Sequence, residues 1–219
     1  MRHLPGRARA GSAHHARRFR WHGRAALPHH RRRGRHLLTS GHSEADLHRL
    51  RADARAAWEA GLGAVLPETC VSRALAARPD LSLHASRTLV LAVGKAAAGM
   101  WRGAAPAMAG ARAIVLLPEG YDSGELPAGT LLLRGGHPHP TAGSFESTRR
   151  ILAEVDGLGA GDRLLVLLSG GTSALLEAPA DGVTEEELAA AHQRLVASGL
   201  DIASINLARS RLSAVNGDI

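Results

Sequence analysis

The sequence predicts a layered α/β domain, Rossmann-like, with a mostly parallel sheet and helices on both faces. Three observations carry that expectation. Short, almost wholly apolar runs such as Thr88–Val93 and Arg112–Pro118 alternate with helix-patterned segments, which is how strands buried on both faces are written. Two of these runs pass directly into glycine turns followed by small-residue helices, at residues 93–97 and 168–174. The chain of 219 residues, 45% hydrophobic and only 3% aromatic, can bury one sizeable core, and must build it from Leu, Val, Ala and Ile.

The elements follow in order. Ser43 stands before Glu44 and Asp46 as an N-cap with acids in the first turn, and Leu47, Leu50, Ala54, Ala57 and Leu62 form a helical stripe. Pro67 starts a second helix, which Pro79 ends. Thr88–Val93 reads as a buried strand, and the Ala-rich residues 95–110 as a helix kinked at Pro106. Residues 112–118 and 129–136 are strands separated by a loop, residues 144–158 a helix with Phe145, Ile151, Leu152 and Val155 on one face. "DRLLVLLS", residues 162–169, is the clearest strand, and "GGTSALLE" opens a short helix. Thr184 with Glu187 three residues later makes a capping box for the next helix, and residues 201–215 are a last helical segment.

The net charge of +7 suggests a nucleic-acid binder until its location is considered. Residues 1–43 hold eleven arginines, eight of the thirteen histidines and no Asp or Glu, so the basicity belongs to this segment and the rest of the chain is mildly acidic. Broken by Pro and Gly and without periodicity, the segment is expected to be disordered. It lacks the amphipathic, Ser-rich pattern of a mitochondrial transit peptide, and is read as an extension translated from a start codon placed too far upstream. The fold is accordingly expected in residues 44–219, and nucleic acid is not expected as a partner. Cys70, the sole cysteine, permits no intrachain disulfide and suits a reducing, cytoplasmic compartment. No apolar run approaches the roughly 18 residues of a membrane helix.

Lys95 is the only lysine among 27 Lys plus Arg. A chain that writes every other cation as Arg and keeps one Lys directly after Gly94 at a strand end points to a site needing a compact ammonium on a flexible stem. The turn is not a Walker A loop, since Leu89 and Ala96 stand where Gly and Ser or Thr are required. Residues Ser169, Gly170, Gly171, Thr172 and Ser173 form a second strand-to-helix turn whose amides and hydroxyls suit phosphate. A serine-hydrolase elbow is excluded because Leu175 occupies the second glycine position. In "RGGHPHPTAGS" the prolines stiffen a loop that presents His137 to a polar ligand; His137 and His139 lack a third ligand, so no metal site is assigned. Asn206 and Arg209 share a helix face, where the guanidinium suits a carboxylate.

Taken together, "AVGKAAAGM", "GHPHPTAGS", "LLVLLSGGTSALLEAP" and "DIASINLARSRLS" resemble the N-terminal domain of the type II glycerate kinases (glycerate 2-kinases), whose second domain is called MOFRL. The resemblance runs from about Glu44 to about Val215. It implies transfer of the ATP γ-phosphoryl to the 2-hydroxyl of D-glycerate, giving 2-phosphoglycerate, with Mg²⁺ accompanying the nucleotide. It further implies Lys95 as the catalytic cation, the 169–173 turn with Gly94 as the phosphate cradle, and His137, Asn206 and Arg209 as substrate contacts, Arg209 for the carboxylate. Two departures stand out: Thr172 replaces a usual Gly, and Asn216 replaces the Lys of a Lys-Gly-Gly segment. The second domain, which supplies a catalytic Arg across a cleft, is not in this sequence. Little or no kinase activity is therefore expected of the chain as written, with exposure of surface that would face that domain. The alternatives are a non-catalytic phospho-ligand binding module, against which the lone Lys95 argues, and a hydroxypyruvate reductase, which would need a G-x-G-x-x-G turn that follows no strand here.

Overall fold

A computed structural model describes residues 43–82 and 85–216; the basic segment before Ser43 lies outside the described residues. The chain divides into units Met1–His48 and Arg49–Ile219, and only the second is described at length. The elements are α1 (Glu44–Ala64), α2 (Pro67–Ala76), β1 (Thr88–Val93), α3 (Ala97–Ala104), β2 (Arg112–Pro118), β3 (Thr130–Gly135), α4 (Ala142–Asp156), β4 (Arg163–Leu168), α5 (Thr172–Leu175), α6 (Glu185–Ala197) and α7 (Ile202–Ser210).

All four strands are parallel, in the order β3-β2-β1-β4. The central strand β1 is buried along its whole length. Because side chains alternate across a strand, its residues divide between two cores. Val90 and Ala92 join Ala113, Val115, Ala97, Trp101 and Met108 on the α3 side, whereas Leu89, Leu91 and Val93 join Ile114, Leu116, Leu133, Ile151 and Leu175 on the α4 and α5 side. This is the expected layering, helices on both faces of a parallel sheet. Trp101 is buried and its indole Nε1 donates to Thr130 Oγ1 at 2.7 Å, which removes the cost of enclosing that N–H.

Helix α3 differs from the expectation. It ends at Ala104 and does not run through Pro106 with a kink, because Pro106 has no amide hydrogen to continue the ladder. Its Gly99 and Gly103 instead make a flat face against α2. A Cβ on Gly103 would lie 2.4 Å from the Glu68 carbonyl oxygen, so bare glycine sets the closeness of the two helices. Arg102 then reaches back to Glu68 Oε1 at 2.7 Å.

The caps form as predicted: Asp46 N donates to Ser43 Oγ, and Thr184 and Glu187 bond each other's backbone amides. Large apolar side chains are exposed on β4 and α1, and at Val196, Leu200, Ile202 and Leu207 around α6 and α7. On β4, an edge strand, Leu164, Val166 and Leu168 point outward, Leu168 being 60% exposed. On α1 no residue is buried, and Trp58 and Leu62 are exposed, as is Val65 just after it. Among the described residues no helix is long and apolar enough to cross a membrane.

Candidate functional site

The sheet grows from β1 through β2 to β3, and only then does β4 dock on the other edge of β1. The point of reversal therefore lies between β1 and β4, and the crevice beyond their C-terminal ends is where layered α/β folds take ligands. The turns after these two strands, residues 93–97 and 168–172, are the two that the sequence marks out.

Hydrogen bonds join them into one body. Ser169 N donates to Val93 O and Lys95 N to Gly170 O, both at 2.9 Å. The Ser169 hydroxyl donates to Val93 O and accepts from Ala96 N, each at 3.1 Å, while Thr172 Oγ1 donates to Ser169 O at 2.8 Å. Ser169 and Thr172 thus spend their hydroxyls holding the turns together. Ser173 follows on α5, half-buried. Gly94 is obligatory here, with φ at +112° and a Cβ position only 2.3 Å from Ser169 Oγ.

Gly171 has the same backbone hand, φ at +98°. A Cβ on it would lie 2.9 Å from His137 Cδ2, 3.2 Å from His137 Nε2 and 3.6 Å from Lys95 Cε. The imidazole and the lysine stem therefore converge over one bare stretch of backbone, although His137 arrives from the loop after β3. Lys95 is exposed and His137 half-buried. Burial first, and then the neighbouring Lys95 and His139, hold the His137 pKa below its ordinary value. His139 Nδ1 is buried without a hydrogen-bond partner among the described residues. No group of three or more His, Cys, Asp or Glu among them is arranged to hold a metal ion. The arrangement offers an ammonium, an imidazole and bare glycine backbone to an anion. A separate concavity of about 510 Å³ between α2 and α3, beside Glu68, Arg73 and Arg102, contains none of these residues.

Residues 53–218 match the family model described as "Domain of unknown function (DUF4147)". The chain belongs to the DUF4147 family. The DUF4147 domain is 36% identical over 156 residues to a D-glycerate 2-kinase of Thermotoga maritima, covering 70% of this chain and 36% of that protein. It is 33% identical over 166 residues to a protein of Agrobacterium vitis that bears a hydroxypyruvate reductase name, covering 74% and 36%. Among solved structures, a glycerate kinase from Thermotoga maritima superposes with a TM-score of 0.68 at 34% identity, covering 77% of this chain and 40% of that one. The chain thus spans little more than a third of these relatives.

Within the DUF4147 domain, Arg209 lies at a second polar group rather than the first. Asn206 is exposed on α7. Arg209 faces Glu177, and its Nε is buried with no partner among the described residues; burial pulls its pKa down while Glu177 acts the other way. Glu177 itself is fully buried. His192 Nε2 lies 2.9 Å from Glu177 Oε2, Asn216 Nδ2 donates to that oxygen at 3.0 Å, and the Ser213 hydroxyl donates to Oε1. The Glu177 amide donates to Thr148 Oγ1 at 2.9 Å. This carboxylate ties α6 to the segment after α7, while the residue's amide ties it to α4. Sequence reasoning missed it; the one signal was an acid inside the apolar stretch "SALLEAP". Asn216, noted as a departure from the family pattern, has its role here as a donor to Glu177.

Proposed function

We propose that this domain is the nucleotide-handling part of a glycerate kinase, transferring the ATP γ-phosphoryl to the 2-hydroxyl of D-glycerate to give 2-phosphoglycerate. The observation that carries the reading is the meeting of the only lysine with His137 over bare Gly171 at the switch point, in a chain whose relatives are named glycerate kinases. Phosphoryl transfer asks the protein mainly for positioning and for cations where charge accumulates. Lys95 supplies the mobile cation, and Gly94, Gly170, Gly171 and Ser173 supply close backbone approach and a hydroxyl to the phosphates. His137 is a polar contact of the bound ligand. Asn206 and Arg209 are substrate contacts, Arg209 through a carboxylate, to which a guanidinium with an unpartnered Nε is chemically suited.

ATP fits this donor set, which is cationic and carries no carboxylate. Mg²⁺ would arrive on the phosphates and keep its waters, since it is commonly held by phosphates with few protein ligands. When bound, Mg²⁺ neutralises charge on the transferring group. The reading takes residues 44–219 as the first of two domains, places the reaction in the cytoplasm, and assigns the exposed apolar face of β4 to contact with the second domain. The hydroxypyruvate reductase name of the Agrobacterium vitis relative favours a redox reading, but no dinucleotide fingerprint follows any strand.

Calorimetry with Mg·ATP tests the reading. The expected result is saturable binding that weakens about tenfold or more, roughly 1.4 kcal/mol, in Lys95→Ala. Phosphorus NMR should show little phosphoglycerate from the domain alone and 2-phosphoglycerate once a MOFRL domain is added. Equal ATP affinity in parent and Lys95→Ala would sink the assignment.

A further inference from the structure

We propose that the anion site between Lys95 and the Gly170–Thr172 turn is proton-linked: a bound polyphosphate recruits His137 as a second cation and is held together with one proton on that imidazole. The inference rests on the nucleotide reading above and adds to it a charge that the free site carries less readily.

The geometry comes first. His137 presents its Cδ2–Nε2 edge to Gly171, on the same bare backbone that the Lys95 stem approaches. An anion seated against the turn therefore meets the imidazole and the ammonium together. Residues that face His137 with charge are Lys95, from the turn after β1, and His139, from its own loop; the Gly171 turn contributes backbone only. Glu177, the nearest carboxylate in sequence to that turn, has its oxygens occupied by His192, Asn216 and Ser213.

The electrostatic consequence has a definite sign. In the free domain, burial first, and then Lys95 and His139, disfavour a protonated His137, so the ring gives up its proton more readily than an ordinary imidazole. A polyanion reverses the balance: an opposite charge within about 4–6 Å raises an imidazole's proton affinity by one to three pH units. Binding and protonation then assist each other. Affinity is highest below the free-state value of His137 and falls as pH rises through the bound-state value, by about tenfold for each pH unit separating the two. Lys95 brings an ammonium to the turn, and His137 a charge that the bound anion adjusts.

The test is calorimetry with Mg·ATP across about pH 6 to 8, in two buffers of different ionisation enthalpy, on the parent chain, His137→Asn and His137→Lys. The loop carries His137 half-exposed, so both variants retain the core. Using one ligand throughout removes the nucleotide's own ionisation from the comparison. Expected are net proton uptake in the parent beyond that seen with His137→Asn, tenfold or greater loss of affinity in His137→Asn near pH 6, and recovery of affinity without the pH dependence in His137→Lys. If ATP binds all three proteins with one pH profile, the proton linkage is wrong and the nucleotide reading stands. If ATP binds none of them, both fall.

Discussion

At Gly94 a methyl group would meet the Ser169 hydroxyl at 2.3 Å and its carbonyl oxygen at 2.6 Å, on a backbone with φ at +112°. Two costs coincide, since left-handed conformations cost non-glycine residues roughly 1–2 kcal/mol before any clash is counted. Gly94→Ala is therefore expected to lower stability by about 3 kcal/mol or more in urea denaturation. Gly171→Ala meets a movable imidazole edge, so its expected penalty is smaller, about 1–2 kcal/mol, with a shifted His137 resonance in NMR. Glu177→Ala strips the buried partner from His192, Ser213, Asn216 and the Ala178 amide, and should cost about 3 kcal/mol or more. The first two positions are legible in the sequence, because a glycine at a strand end beside the sole lysine is a local signal. Glu177 is not legible in that way. Its carboxylate partners His192, Ser213 and Asn216 lie 15, 36 and 39 residues away, and only the folded chain brings them to one side chain.

The strands were readable because each is a continuous apolar run bounded by charge or glycine: β1 occupies Thr88–Val93 as the pattern requires, and the Thr184 box starts α6. What escaped the pattern was the purpose of small residues. Gly99 and Gly103 look like weak points of a helix, yet they admit α2, while Gly63 in α1 faces open space. The same substitution should then act in opposite directions. Gly63→Ala should stabilise α1 by up to about 1 kcal/mol through helix propensity. Gly103→Ala should destabilise the domain, since its Cβ position is 2.4 Å from backbone that cannot swing aside. Hydrogen exchange along α1 and α2 separates the two effects. Element order was equally hidden: nothing local in β4 says that it pairs with β1 and not with β3. That choice decides which two turns become neighbours.

For the whole molecule, His137 gives stability a pH signature. Its folded form binds a proton less readily than the unfolded chain, so lowering pH through its ordinary value near 6.5 favours unfolding. Stability should decline as pH falls below about 6.5, and part of that decline should vanish in His137→Asn, as read from urea midpoints. Glu68 and Asp201, whose pKa values are lowered chiefly by backbone hydrogen bonds, extend the loss to more acidic pH. The apolar edge formed by Leu164, Val166 and Leu168 makes the isolated domain prone to self-association. Leu168→Lys should reduce scattering on concentration with little change in the urea midpoint.

The docking of β4 on β1 has one more consequence, and it concerns time. Ser169 reaches Val93 and Ala96 across more than seventy residues of chain, the kind of long-range closure that is slow to form. A chain emerging residue by residue can pair β1, β2 and β3 well before the last strand exists. Until that strand arrives, the turn bearing Lys95 has neither Gly170 nor Ser169 to rest on. The turn around Lys95 is thus completed only when β4 has docked, and the protection of its amides from exchange becomes a natural stopwatch for the completed sheet.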